Sequence, residues 1–206
     1  MKFFLATGNS HKLEECVAIL SAAGPDIQVE GADSVGGMPL VDENAVSFVE
    51  NARTKARALE RLVPDGGSIF ADDSGLCVNF LDGEPGVYSS RYAGTGASDE
   101  ANIRLLLNRL RDVPIGERMA HFRCVIVLLE SEGRERVFDG RCHGQIAVEA
   151  TGRFGFGYDP IFVPSGYDVT MAELTTAEKN RISHRAAALR SMADWLTHRR
   201  QFRGYA

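Results

Sequence analysis

The chain has 206 residues, room for one well-buried core that divides at most into two lobes. Its 44% hydrophobic and 25% charged residues are those of an ordinary soluble globular domain. A formal net charge of -5 speaks against a general nucleic-acid binder, normally basic, yet leaves open a small anion held by a few local cations.

Residues 3–6 read as a short buried strand, and the apolar run there is too short for a signal peptide. Thr7-Gly8-Asn9-Ser10 is the turn after it. Leu13, Cys16, Val17 and Leu20 then recur at i, i+3, i+4 and i+7, the spacing of an amphipathic helix that Gly24-Pro25 stops. Residues 30–44, rich in Gly, Asp and Ser, read as an irregular loop. A second helix is expected over about residues 45–62, with Phe48, Ala52, Ala56 and Leu59 on one stripe, ended by Pro64-Asp65-Gly66-Gly67. Residues 68–71 form a strand, Asp72-Asp73-Ser74-Gly75 interrupts it, and residues 76–80 continue extended.

Ser98 caps a third helix, with Asp99 and Glu100 at its positive end and Ile103, Leu106, Leu107 and Leu110 as its buried stripe. Residues 121–129 and 134–138 make a hairpin around Ser131-Glu132-Gly133, and a further strand lies near 144–148. A glycine and aromatic loop covers 152–160. The last helix opens on a capping box, Thr175-Thr176-Ala177-Glu178, and buries Ile182, Ala186, Leu189, Ala193 and Leu196. The longest apolar run, 125–129, has the length of a buried strand, far short of a bilayer span. Cys16, Cys77, Cys124 and Cys142 show no close pairing, so reduced thiols in the cytoplasm are expected, without a zinc site. With no repeat or linker, the whole reads as one mixed α/β unit.

Four constellations could carry chemistry. Thr7-Gly8-Asn9-Ser10-His11-Lys12 lies between a strand and a helix, where backbone N–H groups bind anions and Lys12 adds a charge; an ordinary turn with a surface lysine fits equally. Asp72-Asp73-Ser74-Gly75 presents two carboxylates after an apolar strand. Magnesium needs only one or two such groups beside waters and phosphates, and Glu43 is a weaker third acid. Phe154 to Asp159 offers Phe156 for stacking on a purine and Asp159 as an acceptor for ring N–H groups, although a packed turn has the same composition. Lys179, Ser183, His184 and Arg185 open the last helix, Lys179 and Ser183 one turn apart, as phosphate and carbonyl donors or as a solvated polar face.

Six stretches in order resemble the inosine triphosphate pyrophosphatase family, the non-canonical purine NTP pyrophosphatases. They are LATGNSHK (5–12), FVENARTKA (48–56), ADDSGL (71–76), EPGVYSSRYAG (84–94), GFGYDPIF (155–162) and AELTTAEKNRISHRAAAL (172–189). The resemblance implies one domain over residues 1–206, an elongated mixed sheet flanked by helices, two lobes with a substrate cleft between them, and a homodimer. It implies hydrolysis of ITP, dITP or XTP to the monophosphate and pyrophosphate, with magnesium as cofactor and no nucleic-acid or membrane partner.

The family pattern makes Asp73 the catalytic acid residue, as general base or as metal ligand, with Glu43 and Asp72 also on magnesium. Thr7, Gly8, Asn9, Ser10, His11, Lys12, Lys55 and Lys179 would hold phosphates, and Ser74 and Ser183 would contact substrate. Phe156, Gly157, Tyr158 and Asp159 would receive the purine, with His184 and Arg185 donating to its 6-carbonyl. Two competitors remain. One is a pyrophosphatase of the septum-formation inhibitor type, disfavoured by the His184-Arg185 pair and the GFGYDP loop. The other is a nucleotide-binding module without catalysis, which would not need Asp73 and Glu43.

Overall fold

The computed structural model describes residues 1–24, 26–42, 44–64 and 67–203, with side chains as far as Arg199. In chain order these form β1 (Lys2–Leu5), α1 (Ser10–Ala23), β2 (Gln28–Gly31), α2 (Phe48–Glu60), β3 (Ser68–Val78), α3 (Asp99–Arg109) and β4 (Met119–Leu129). β5 (Glu135–Ile146), β6 (Phe162–Pro164), α4 (Thr176–Ile182) and α5 (His184–Arg203) follow, with short 3-10 turns in the connections. The strands make one sheet in the order β2-β1-β3-β4-β5-β6. β1 runs parallel to β2 and β3, whereas β5 and β6 are antiparallel, so the α/β fold with a mixed sheet is as expected.

The chain divides into two compact units. The first comprises Met1–Asp73, Cys124–Gly140 and Arg185–Ala206; the second comprises Ser74–Arg123 and Arg141–His184. In the first unit the sheet buries both faces, and the two-residue period of a strand sorts its side chains between them. Phe3, Leu5 and Phe70 pack with Cys124, Ile126 and Leu128 against Cys16, Ile19 and Leu20 of α1 and Ala186, Leu189 and Met192 of α5. Phe4, Ala6, Ile69 and Ala71 pack with Val127 and Leu129 against Ala52, Ala56 and Leu59 of α2. Each fully buried leucine or phenylalanine contributes about 1.5–3 kcal/mol. The second unit has its own core, in which Leu76, Val78, Leu106, Leu110, Phe122, Ile146 and Phe162 meet.

Helix starts follow cap chemistry. Asn9, Ser47, Ser98 and Thr175 each accept a hydrogen bond from the backbone N–H three residues on, and Thr175 with Glu178 completes the expected capping box.

The structure also departs from the sequence reading. β3 runs unbroken through Asp72-Asp73-Ser74-Gly75, so both carboxylates sit within a strand. β5 continues to Ile146, absorbing the separate strand expected near 144. β2 and the short β6 were not expected. α2 begins at Phe48 because Ser47 is its cap, and in α1 Ile19 is buried whereas Val17 is exposed. The last helix is two helices: Ser183 leaves helical geometry at φ -65°, ψ 155° between α4 and α5. Pro25, Asp65 and Gly66, expected as helix stops, lie outside the described residues. No helix among those described is long and apolar enough to cross a membrane. All four cysteines are free thiols, Cys77 the only one not buried.

Candidate active site

In the first unit the chemistry gathers around β3. Its even residues face α1 and α5, its odd residues face α2, and the carboxylates obey the same rule. Asp72, 1% exposed, accepts at Oδ2 from Lys12 Nζ at 2.9 Å, from Arg185 Nη2 at 3.1 Å and from Arg185 Nε at 3.3 Å. Arg185 also bonds Glu15, a buried carboxylate three residues after Lys12 on α1. Asp73, 8% exposed, accepts from Asn51 Nδ2 at 3.0 Å on Oδ2 and from Lys55 Nζ at 3.0 Å on Oδ1, both from α2. Asn51 is itself held by accepting the Ala45 N–H at 3.1 Å.

The two carboxylates differ electrically. Burial works against ionisation of Asp72, but the charges of Lys12, Arg185 and Lys55 outweigh it and hold the carboxyl well below the ordinary range. At Asp73 burial is the stronger influence and pushes the carboxyl up, against the pull of Lys55 and the Asn51 hydrogen bond. A carboxylate has about four acceptor positions, and Asp73 spends two, so it can still take a water or a cation. Burial, reinforced by the Asp72 charge, drives the Cys16 and Cys124 thiols far up, which makes them neutral packing groups.

Beside this cluster α1 opens toward solvent. Gly8, Asn9, Ser10 and His11 are exposed and Thr7 and Lys12 half-buried. Asn9 caps the helix through Lys12 N at 3.1 Å, and Thr7 Oγ1 accepts the Asn9 N–H at 3.2 Å. A Cβ on Gly8 would meet nothing within 4 Å, so space for a ligand is open there. An exposed helix start with a lysine in its first turn suits phosphate.

In the second unit the aromatic loop folds over Asp159. This buried carboxylate accepts at Oδ2 from Lys179 Nζ at 2.7 Å and from the Phe156 N–H at 3.0 Å. Gly155 has φ +79°, and a Cβ there would stand 2.1 Å from Asp159 Oδ2, so glycine is required. The Lys179 ammonium lies 4.6 Å from the Phe156 ring centroid, a cation–π contact that orders the ring. Tyr158 is buried and its hydroxyl donates to the Ser89 carbonyl at 2.9 Å, and Asp99 accepts the Gly157 N–H at 2.6 Å. His184 stacks on Phe122 with ring centroids 4.8 Å apart, and Ser183 is fully buried.

Several expectations change. Arg185, expected to donate to a base, is 1% exposed and bonded to Asp72 and Glu15 inside the first unit. Asp72, expected on magnesium, has two cations sharing its Oδ2. Lys179, expected on phosphate, pairs with Asp159 of the aromatic loop, and Ser183 is the residue at which the helix breaks. Asp159 spends Oδ2 on the Phe156 N–H of its own loop and on Lys179 of α4. Glu43 lies outside the described residues, and among those described no group of three His, Cys, Asp or Glu is placed to hold a metal ion. Glu15 and Asn51 were missed. Asn51 had a signal: it falls on the apolar stripe of Phe48, Ala52 and Leu59, where a polar residue needs a partner.

Buried carboxylates balanced by lysine and arginine beside an open helix start, in the first unit, and a lysine-backed aromatic loop, in the second, are the polar sites of this α/β protein. The chain belongs to the Ham1 family, whose model matches residues 3–195. It is 50% identical over 200 residues to a dITP/XTP pyrophosphatase of Opitutus terrae, covering 95% of this chain and 98% of that one. A dITP/XTP pyrophosphatase of Streptomyces avermitilis is 45% identical, over 93% of this chain and 94% of its own. Among solved structures, the Staphylococcus aureus Ham1 protein matches with a TM-score of 0.84 and 38% identity, over 97% of this chain and 100% of that one. The resemblance drawn from the six motifs is borne out.

Proposed function

We propose that this chain hydrolyses non-canonical purine nucleoside triphosphates, ITP, dITP and XTP, to the monophosphate and pyrophosphate, and so cleanses the nucleotide pool. The observation that carries the reading is Asp73: a buried carboxylate held by one lysine and one amide, raised in pKa, with acceptor capacity left for water. Asp73 takes the proton of a water that attacks the α-phosphorus, and the bond from that phosphorus to the pyrophosphate oxygen breaks. Lys12, Lys55 and the N–H groups of residues 7–12 hold the phosphates, with Ser74 contacting substrate.

Charge balance supports magnesium. Around Asp72 and Asp73 the described cations Lys12, Lys55 and Arg185 only match the acids Glu15, Asp72 and Asp73, leaving no positive charge in excess for a triphosphate. Magnesium, when bound, supplies that charge; Asp73 and Glu43 would hold it together with phosphates and waters. In the second unit Phe156 takes the purine face while Gly157, Tyr158 and Asp159 shape the loop. Lys179 backs the ring, and His184, set by buried Ser183, donates to the 6-carbonyl. An adenine amino group would oppose that donor, leaving polar groups unpaired at roughly 1–3 kcal/mol each. The same family reading carries a single functional domain, a cytoplasmic location and a homodimer without nucleic-acid partners, the last open to sedimentation equilibrium.

The direct experiment is pyrophosphate release from ITP, dITP, XTP, ATP and GTP, with magnesium and with EDTA. Fast, magnesium-dependent release confined to the first three supports the reading. ITP binding without turnover replaces it with a non-catalytic module.

A further inference from the structure

The turn Gly86–Arg91 has no part in the chemistry proposed above, yet it touches both parts of the second unit that frame it. The Ser89 Oγ, 8% exposed as a residue, accepts the Leu76 N–H of β3 at 2.9 Å and donates to the Gly86 carbonyl at 2.6 Å. The Ser89 carbonyl accepts the Tyr158 hydroxyl at 2.9 Å. The approach to β3 is as close as backbone allows: a Cβ on Gly75 would meet the Gly86 carbonyl oxygen at 2.2 Å and Ser89 Oγ at 2.5 Å. Asn102 of α3 holds the turn from outside, accepting the Ala93 N–H at 2.8 Å and donating to the Ser90 carbonyl at 3.3 Å. The bonds of Ser89 to Leu76, Gly86 and Tyr158 join buried or half-buried residues, where an unmade bond is expensive.

We propose that Ser89 is a positioning residue that couples the β3 segment immediately after Asp73 to the aromatic loop, so that loop and strand keep one mutual register. Its side chain fixes the strand at Leu76, two residues beyond Ser74, while its carbonyl fixes Tyr158, two residues beyond Phe156. The Tyr158 hydroxyl stays a donor at all working pH because burial raises it far above the ordinary tyrosine range. The proposal rests on the reading of the aromatic loop as the purine site, but the coupling itself is measurable without turnover.

The test is a double-mutant cycle with Ser89→Ala and Tyr158→Phe, read first in amide hydrogen exchange of the full chain. Tyr158→Phe removes one hydroxyl and conserves the ring, so the protein folds. It is expected to speed exchange of the peptide over 74–78, which Tyr158 does not bond, and Ser89→Ala to speed exchange over 154–159, which the Ser89 hydroxyl does not bond. Unchanged exchange at both remote peptides overturns the coupling. In turnover of ITP each single variant is expected to raise KM about tenfold, and the double variant no more than the larger single effect. Additive effects, on the order of a hundredfold, overturn it as well. A wild-type chain without any turnover sinks the proposed function alone, since the exchange cycle still decides the role of Ser89.

Discussion

Asp72 and Asp73 are neighbours on β3, yet their carboxylates meet different helices: Asp72 is neutralised by Lys12 of α1 and Arg185 of α5, Asp73 by Lys55 of α2. Strand alternation alone accounts for the separation. It turns a pair of like charges, costly side by side, into two sites with opposite pKa tendencies.

Asp73→Asn is expected to lower ITP turnover by about 10²–10⁴-fold, the range for loss of a general base. Because burial raises the Asp73 carboxyl in the free chain, the acid limb of the wild-type kcat/KM profile, which reports the free enzyme, should lie above the ordinary aspartate value of 3.8. Rate measurements across pH on both proteins check this, and an unaltered limb in the variant assigns the base elsewhere.

Asp72 acts on stability. Its folded pKa is depressed, so its contribution is complete above 3.8, the ordinary value for the unfolded chain, and is lost as pH falls through the folded pKa. Asp72→Asn leaves Lys12 and Arg185 short of a partner and should cost about 3–5 kcal/mol at pH 7. Urea unfolding at pH 7 and at pH 3 should show the deficit shrinking at the lower pH. A deficit of constant size contradicts the ion-pair account.

Arg185→Ala strands Asp72 and Glu15 in the interior and is expected to lower stability by about 3–5 kcal/mol. Preference for ITP over ATP should persist in whatever fraction stays folded. Thermal unfolding beside substrate competition separates the two roles: full stability with lost preference would return Arg185 to the base.

Gly155→Ala is expected to raise KM for ITP about tenfold or more, since it forces a Cβ onto Asp159 Oδ2 and demands φ +79° of an L-residue. The readout is kcat and KM separately. A variant with wild-type KM would mean that the loop tolerates a different shape.

Periodicity and cap chemistry carried most of the framework into view. The capping residues Ser98 and Thr175, the stripe of α2 and the hairpin flanks needed only local rules. What stayed hidden depended on partners far along the chain. Two aspartates look like a turn until Lys12, Lys55 and Arg185 are known to arrive, because carboxylates are depleted in strands and only distant cations make them tolerable. Ser183 breaks what reads as one helix: its extended backbone ends α4 directly before α5. Among the site residues, the order of motifs named the positions, but it did not show that Arg185 is bonded to Asp72 and Glu15. A guanidinium's partners are set by burial, which spacing does not report.

The packing of β3 also bears on how this chain can change over generations. Because Ile69, Phe70, Ala71, Asp72 and Asp73 alternate between two filled faces, a shift by one residue exchanges every side chain with its neighbour. A single-residue insertion or deletion between Ser68 and Asp73 would hand Phe70 to the space of Ala71 and offer Lys55 the wrong acid. Substitutions in this strand are therefore graded in their effect, whereas a change of its length is not, and lineages should preserve its residue count even where its apolar letters drift.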